Sequence, residues 1–413
     1  MLTSADITSQ YTDASEDELR VLIVGAGIAG VTAAQLLRRA GRHPVLIERA
    51  HDDSHVGYML ALMPMIDPVL DELEVRPGYR DRSVPLRRFG LRAHSGRILR
   101  ADSVDRILAR FGDYRGIARG ELIDALTPDG CPVGFGTTVT ALTETPGAIV
   151  ATLSRAGTHT ELEFDLVVIA DGLNSTTRHL VLAGREVDTL DTGWGGWVVW
   201  TPADSAPDLG EELWGAGFFL GTYPVLDRLG VFLGGPRADT DAGPGPFVDQ
   251  VRRGLTTIDP RVERALQAVL DDPGRYYWPL TDCRAPAWTT GRSVLLGDAA
   301  AGFLPTAGLG AGMALESAWV LTRMLRRARP DTLEPLLRVY ENTQRPRVEA
   351  AQNTSRRLAR IMFRRSRTIA LLRDVALRAT SVEAALKPIQ RLIDDRPDPE
   401  AAAARFAPAG RQR

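Results

Sequence analysis

Gly25, Gly27 and Gly30 stand at the spacing Gly-x-Gly-x-x-Gly in the stretch Val21-Leu-Ile-Val-Gly-Ala-Gly27-Ile28-Ala29-Gly30. Glycines so spaced do their chemistry through the backbone. The first permits a tight turn, the second lets the main chain approach a pyrophosphate, and the third lets a helix pack closely on a strand. The unpaired N–H groups at the start of that helix then face the phosphates. Glu48 closes the next apolar run, Pro44-Val-Leu-Ile47, and a carboxylate about 20 residues past the glycines is where a ribose hydroxyl is bonded. Arg49, beside it, is a candidate contact to the adenosine end. Two later apolar runs also end in a turn: Asp165-Leu-Val-Val-Ile-Ala meets Asp171-Gly172, and Ser293-Val-Leu-Leu meets Gly297-Asp298 and leads on to Pro305. Asp298 is placed to accept a hydrogen bond from a sugar-type hydroxyl, a role compatible with a helix N-cap. Gly308, Gly310, Ala311 and Gly312 then open a helix whose start offers free N–H groups and partial positive charge.

Such residues need a frame of parallel strands and helices. Val31 to Arg39 repeats apolar residues at helical spacing after the first strand, and Met313, Leu315, Ala318 and Leu321 continue the last helix. The expected fold class is α/β: a Rossmann-type dinucleotide-binding domain, in segments 19–83, 109–186 and 281–330, interleaved with a smaller antiparallel-sheet domain from 84–108 and 187–280. The second domain has a different texture, with Trp194, Trp197, Trp200, Trp214, Phe218, Phe219, Tyr223 and Phe232 among glycines in alternating runs. Most of these rings serve as core, and a few line a pocket. Trp200, Phe218, Leu220 and Tyr223 are the candidates, and an apolar aromatic cleft suits an aromatic or polycyclic ligand. Residues 331–394 read as C-terminal helices, with Leu333, Leu336, Leu337 and Tyr340 in phase, and 395–413 as a disordered tail. The basic stretch Arg356 to Arg367 reads as a solvated helix packed on the dinucleotide domain, the alternative being an amphipathic helix at a membrane surface.

On these motifs, taken in order, the chain resembles the class A flavoprotein monooxygenases, the family of para-hydroxybenzoate hydroxylase. Asp171-Gly172 followed by Asn174, Ser175 and Arg178, and Gly297-Asp298-Ala-Ala leading through Pro305 into Gly308-Leu-Gly310-Ala-Gly312, match that pattern over roughly residues 19 to 350. The resemblance implies non-covalent FAD, with NADPH or NADH as a transient co-substrate and O2 as oxidant. It implies hydroxylation or epoxidation of an aromatic or polycyclic small molecule through a flavin C4a-hydroperoxide. Asp298 would then meet the ribityl chain, and the helix start at Gly308 to Gly312 would stabilise the reduced flavin anion. Arg119, in Arg119-Gly-Glu-Leu122-Ile-Asp-Ala-Leu126, reads by spacing alone as a surface helix arginine. The resemblance places it against the flavin nucleotide.

The chain departs from the family at Ala301, Leu309, Gly312 and Ser317, where most members carry polar side chains, and it lacks an arginine in the region from His51 to Met59. Two alternatives stay open on that ground: a flavin reductase or dehydrogenase without oxygen insertion, and a flavin-loaded scaffold or cyclase with structural FAD. No catalytic residue can be named, because the cofactor carries the hard step. His94, His159 and His179 read as surface residues, and no metal site is expected. No second dinucleotide fingerprint occurs, so a nicotinamide would bind in a groove.

Composition bounds the partners. With 413 residues the chain can bury a sizeable core, and its net charge of −2 argues against nucleic acid. No run of about 18 apolar residues is present, which argues against stable membrane insertion. Two cysteines, Cys131 and Cys283, are too few for a disulfide framework and fit reduced thiols in a cytoplasmic protein. A monomer or homodimer is expected.

Overall fold

The computed structural model describes residues 1–52 and 57–406. A seven-stranded sheet runs in the order Leu2–Ser4, Cys131–Phe135, Val45–Glu48, Val21–Val24, Leu166–Ile169, Ser293–Leu295, Thr289–Thr290. All its neighbours are parallel except the last pair. Its central strands are buried on both faces, which explains why Val21-Leu-Ile-Val24 and Leu166-Val-Val-Ile169 are apolar without alternation. The helices Ile28–Arg39 and Gly310–Leu325 pack against each other. A three-stranded antiparallel sheet, Thr137–Thr145, Ala148–Arg155 and Thr158–Phe164, joins this half.

The second half is built on an eight-stranded sheet in the order Ala301–Gly302, Tyr276–Arg284, Asp188–Pro202, Arg228–Pro236, Phe219–Val225, Leu209–Trp214, Arg88–Arg92, Ile98–Ser103. One face packs on the helices Pro244–Gly254 and Pro260–Asp271 in a separate core that includes Trp197, Phe218, Leu220, Phe247 and Leu266. The other face looks toward the dinucleotide turn. The alternating runs of 187–280 therefore contain two helices, whose buried residues Phe247, Val248, Val251 and Val262, Ala265, Leu266, Val269 follow helical spacing.

One further difference from the sequence reading concerns residues 395–413, and residues 1–14 also join the fold. Leu2–Ser4 extends the parallel sheet beside Cys131–Val133, Asp6 caps the helix Ile7–Ala14, and the Met1 ammonium donates to the Thr127 carbonyl at 2.9 Å. The expected tail is ordered as far as 406. Asp398 caps the short helix Pro399–Ala402, and Ala403 is buried. Residues 407–413 of that expected tail lie outside the described residues, as do residues 53–56 of the stretch noted for a missing arginine. The C-terminal helices are Leu333–Met362, Arg367–Ala379 and Val382–Asp394, so the basic stretch is two helix ends with a turn at 363–366.

Candidate active site

At the dinucleotide end the turn is made by backbone. Gly25 holds φ +103°, and a Cβ there would lie 2.5 Å from the Ala170 carbonyl oxygen. A Cβ on Gly30 would meet the Gly25 oxygen at 1.9 Å, so the third glycine is needed for the helix to close on the strand. Gly27 is different, for a Cβ there would meet nothing within 4 Å. It faces open space. Glu48 ties the loop together, its carboxylate accepting from the Ala26 N–H at 2.8 Å and the Ala50 N–H at 2.9 Å.

That open space is a cavity of about 1100 Å³, lined at this end by Gly27, Ile28, Ala29, Arg119, Gly172, Asp298, Pro305, Gly308, Gly310 and Ala311. Asp298 lines it with no hydrogen-bond partner for its carboxylate among the described residues, and desolvation by the surrounding protein pushes its pKa up to about 6. Asp171 accepts from the Thr177 N–H at 3.3 Å through one oxygen, while its other oxygen is buried and unpartnered. The helix Gly310–Leu325 begins without a side-chain cap, so its first N–H groups are free for an anion or a flavin edge. Arg119 meets the Tyr58 hydroxyl, which burial holds above its usual range. The Asp298 carboxylate, a bare glycine and an uncapped helix start in one cavity fit a flavin dinucleotide, with Asp171 behind the wall at Gly172.

Some expected residues lie off that wall. Arg49 is exposed and makes no hydrogen bond or ion pair among the described residues. Gly297, at φ +61°, packs on Ala29, where a Cβ would come within 2.7 Å. Gly312 is buried beneath Met65, with the Met65 sulfur 2.5 Å from the place of a Cβ. A side chain at 312 would have to displace Met65. Ala301 and Leu309 are 2 % exposed, and Ser317 is buried and accepts from Gln344 Nε2 at 3.1 Å. None of these four residues lines the large cavity.

The opposite wall is the inward face of the eight-stranded sheet. Tyr223 lies on it, whereas Phe218, Leu220 and Trp200 do not. Phe218 and Leu220 sit in the core on the far face, and the Trp200 ring lies 4.5 Å under the Arg228 guanidinium. For Leu220 the reason is the strand period of two: residues 220 and 223 of one strand cannot share a face. Phe219, Phe232, Trp214, Val198 and Leu91 supply the apolar wall instead, with Leu358, Ile361, Met362 and Phe363 closing it from the C-terminal helices. Phe363 stacks on Trp194 with ring centroids 4.6 Å apart. The basic stretch thus turns apolar residues to the cavity together with Arg357 and Arg364, while Arg356 pairs with Asp282 at 2.8 Å. Glu212 also lines this wall. Trp214 Nε1 donates to it at 2.7 Å and the Tyr223 hydroxyl donates to its other oxygen, while burial pushes its carboxyl pKa up. Sequence reasoning missed it, although Glu211-Glu212 within a buried strand was a legible signal.

A nucleotide turn, the Asp298 and Glu212 carboxylates and an aromatic wall around one cavity are the parts of a flavin-dependent aromatic hydroxylase. A family model described as FAD binding domain matches residues 18–210. The chain is 31 % identical over 370 residues to a 3-amino-4-hydroxybenzoate 2-monooxygenase of Streptomyces cremeus, covering 83 % of this chain and 87 % of that one. It is 28 % identical to a 6-hydroxynicotinate 3-monooxygenase of Bordetella bronchiseptica, over 81 % of this chain and 90 % of that one. In fold it is similar to Klebsiella pneumoniae HpxO, solved with FAD and uric acid, at a TM-score of 0.78 and 23 % identity, covering 95 % of this chain and 98 % of that one. The chain belongs to the class A FAD-dependent monooxygenases.

Proposed function

We propose that this FAD-dependent monooxygenase takes reducing equivalents from NADPH or NADH and inserts one oxygen atom of O2 into a fused or polycyclic aromatic molecule. The observation that carries the reading is the cavity itself. Its volume of about 1100 Å³ is continuous from Gly27 to the Phe219 and Phe232 wall, so a cofactor at one end and an aromatic ring at the other share one space. FAD, when bound, accepts hydride from the nicotinamide and activates O2 for transfer. The chain's own residues hold it: Gly27, Ile28, Ala29 and the helix start at Gly310 and Ala311 meet its anionic parts, Asp298 and Glu48 its hydroxyls, and Arg119 its nucleotide. Asp171 and Gly172 close the cradle, and Pro305 and Gly308 shape the backbone before the helix. The apolar wall orients the ring and excludes water, which would otherwise divert an activated oxygen.

The 3-amino-4-hydroxybenzoate and 6-hydroxynicotinate relatives carry in their names hydroxylated single-ring aromatics. A soluble small aromatic of this general class, enlarged to fill the cavity, is the substrate class proposed for this chain. The test is NAD(P)H oxidation followed together with oxygen uptake. Slow turnover alone, with stimulation by an aromatic ligand, one O2 consumed per nicotinamide and a hydroxylated product, is the expected outcome. Product formed anaerobically without nicotinamide would make the flavin structural, and a need for nicotinamide but not for oxygen would make the protein a reductase.

A further inference from the structure

Glu211 and Glu212 are neighbours on the strand Leu209–Trp214 and point to opposite faces of the sheet. Both are buried, at 7 % and 8 % exposure, yet they are treated differently. Glu211 is paired with the Arg92 guanidinium at 2.8 Å. Glu212, on the cavity face, pairs with no arginine, lysine or histidine among the described residues; Trp214, Tyr223 and Tyr114 are its neighbours, and the arginines that line the same cavity, Arg100, Arg119, Arg357, Arg364 and Arg373, form no ion pair with it. Its two partners, Trp214 Nε1 at 2.7 Å and the Tyr223 hydroxyl, occupy one acceptor position on each oxygen. A carboxylate has about four such positions. Glu212 lines the cavity, so a bound molecule can reach the residue from that side. A buried carboxylate with acceptor capacity unused is costly unless something supplies the missing donors.

We propose that Glu212 anchors a subsite for a hydrogen-bond donor on the substrate, a phenolic hydroxyl or a ring N–H carried on an otherwise apolar fused aromatic, and that it rejects an anionic carboxylate at that end. The inference rests on the reading of the cavity as an aromatic-substrate site and deepens it. Trp214 and Tyr223 hold the carboxylate's plane, so the ring that donates to it is fixed in rotation as well as position. Phe219 and Phe232 flank the subsite, and their ring faces suit the π-surface of such a ligand. A carboxylated ring would instead bring like charge against a group without a countercharge.

The experiment titrates the FAD-loaded protein at pH 8 with 2-naphthol, 2-methoxynaphthalene and 2-naphthoate, following perturbation of the flavin absorbance. Naphthol should bind at least about tenfold more tightly than the methoxy compound, one charge-assisted hydrogen bond being worth that much, and naphthoate more weakly than either. Glu212→Gln should narrow the naphthol preference to within about threefold and strengthen naphthoate, with the methoxy compound's Kd and the FAD content unchanged. Equal binding of naphthol and the methoxy compound to the native protein, or an unchanged preference in Glu212→Gln, overturns the proposal. Should Glu212→Gln fail to retain FAD, Tyr223→Phe takes its place: it leaves the carboxylate and frees one more acceptor position, so the naphthol preference must persist or grow, and its loss overturns the proposal. If none of the three probes binds the native protein, the aromatic-site reading falls and the proposal with it. Discrimination among the probes without oxygen uptake in the turnover assay would leave the subsite standing and remove the monooxygenase chemistry.

Discussion

The turn at Gly25 to Gly30 and the sheet wall from Glu212 to Phe232 face one cavity, but they are built in opposite ways. The turn works by leaving side chains out: Gly25 and Gly30 have no room for a Cβ, and Gly27 keeps a space clear. The wall works by choosing which side chains point inward. Strand register gives Phe219 and Tyr223 to the cavity and Leu220 to a core on the other side of the sheet. A site that depends on backbone approach tolerates one residue type at each position, whereas a wall of apolar side chains tolerates many if volume is kept. The first kind leaves a sharp trace in a sequence and the second does not.

Gly27→Val should give the largest effect and break the comparison most directly. A branched side chain would fill the clear space, so the purified protein should carry no flavin while its far-UV circular dichroism stays native. Full FAD occupancy in this variant would show that the turn does not face the pyrophosphate. On the wall, Leu220→Ala should cost about 2–5 kcal/mol in urea unfolding, as expected for a core leucine, and leave aromatic binding unchanged. Phe219→Ala should do the reverse, weakening the aromatic ligand with a smaller loss of stability. If the two variants exchanged these effects, the register of the strand Phe219–Val225 would be wrong.

Asp298→Ala should weaken FAD binding by about 1–3 kcal/mol in calorimetry, the worth of a charged hydrogen bond. The same residue has a pH signature in the flavin-free protein. Its carboxyl, at about 6 against an ordinary 3.8, binds its proton more tightly when folded. Its contribution to stability is therefore fully present below about pH 4 and is lost as pH rises through about 6. Flavin-free Asp298→Asn should lose less stability than the parent across that window, measured by thermal unfolding at stepped pH. Arg49→Ala should have the smallest effect, a change in FAD affinity within about 0.5 kcal/mol, because the side chain is exposed and off the cavity wall. A larger loss would place the adenosine end of the cofactor over Arg49.

The dinucleotide turn, the family and the parallel frame were legible because each rests on local rules. A glycine at φ +103°, a carboxylate ending the second strand and an apolar run buried on both faces are all properties of short segments. The reading went astray where a residue's role depends on a distant partner. Trp200, Phe218 and Leu220 read as pocket residues, but the sheet turns Phe218 and Leu220 into a core on its far face and Trp200 lies off the cavity wall. The two helices at Pro244–Gly254 and Pro260–Asp271 kept their helical spacing yet were submerged in a stretch whose aromatics and glycines read as strands.

By itself, then, the sequence determined the cofactor class and the turn that meets it, because steric exclusion at glycine and the hydrogen-bonding needs of a helix start are set by neighbours in the chain. Only the tertiary structure decided the substrate wall. Whether Phe218 or Phe219 faces the cavity depends on which side of the sheet the helices cover, and whether Glu212 lacks a countercharge while Glu211 has Arg92 depends on what another strand brings alongside. A strand's alternation fixes which residues share a face, and long-range packing alone fixes which face is which.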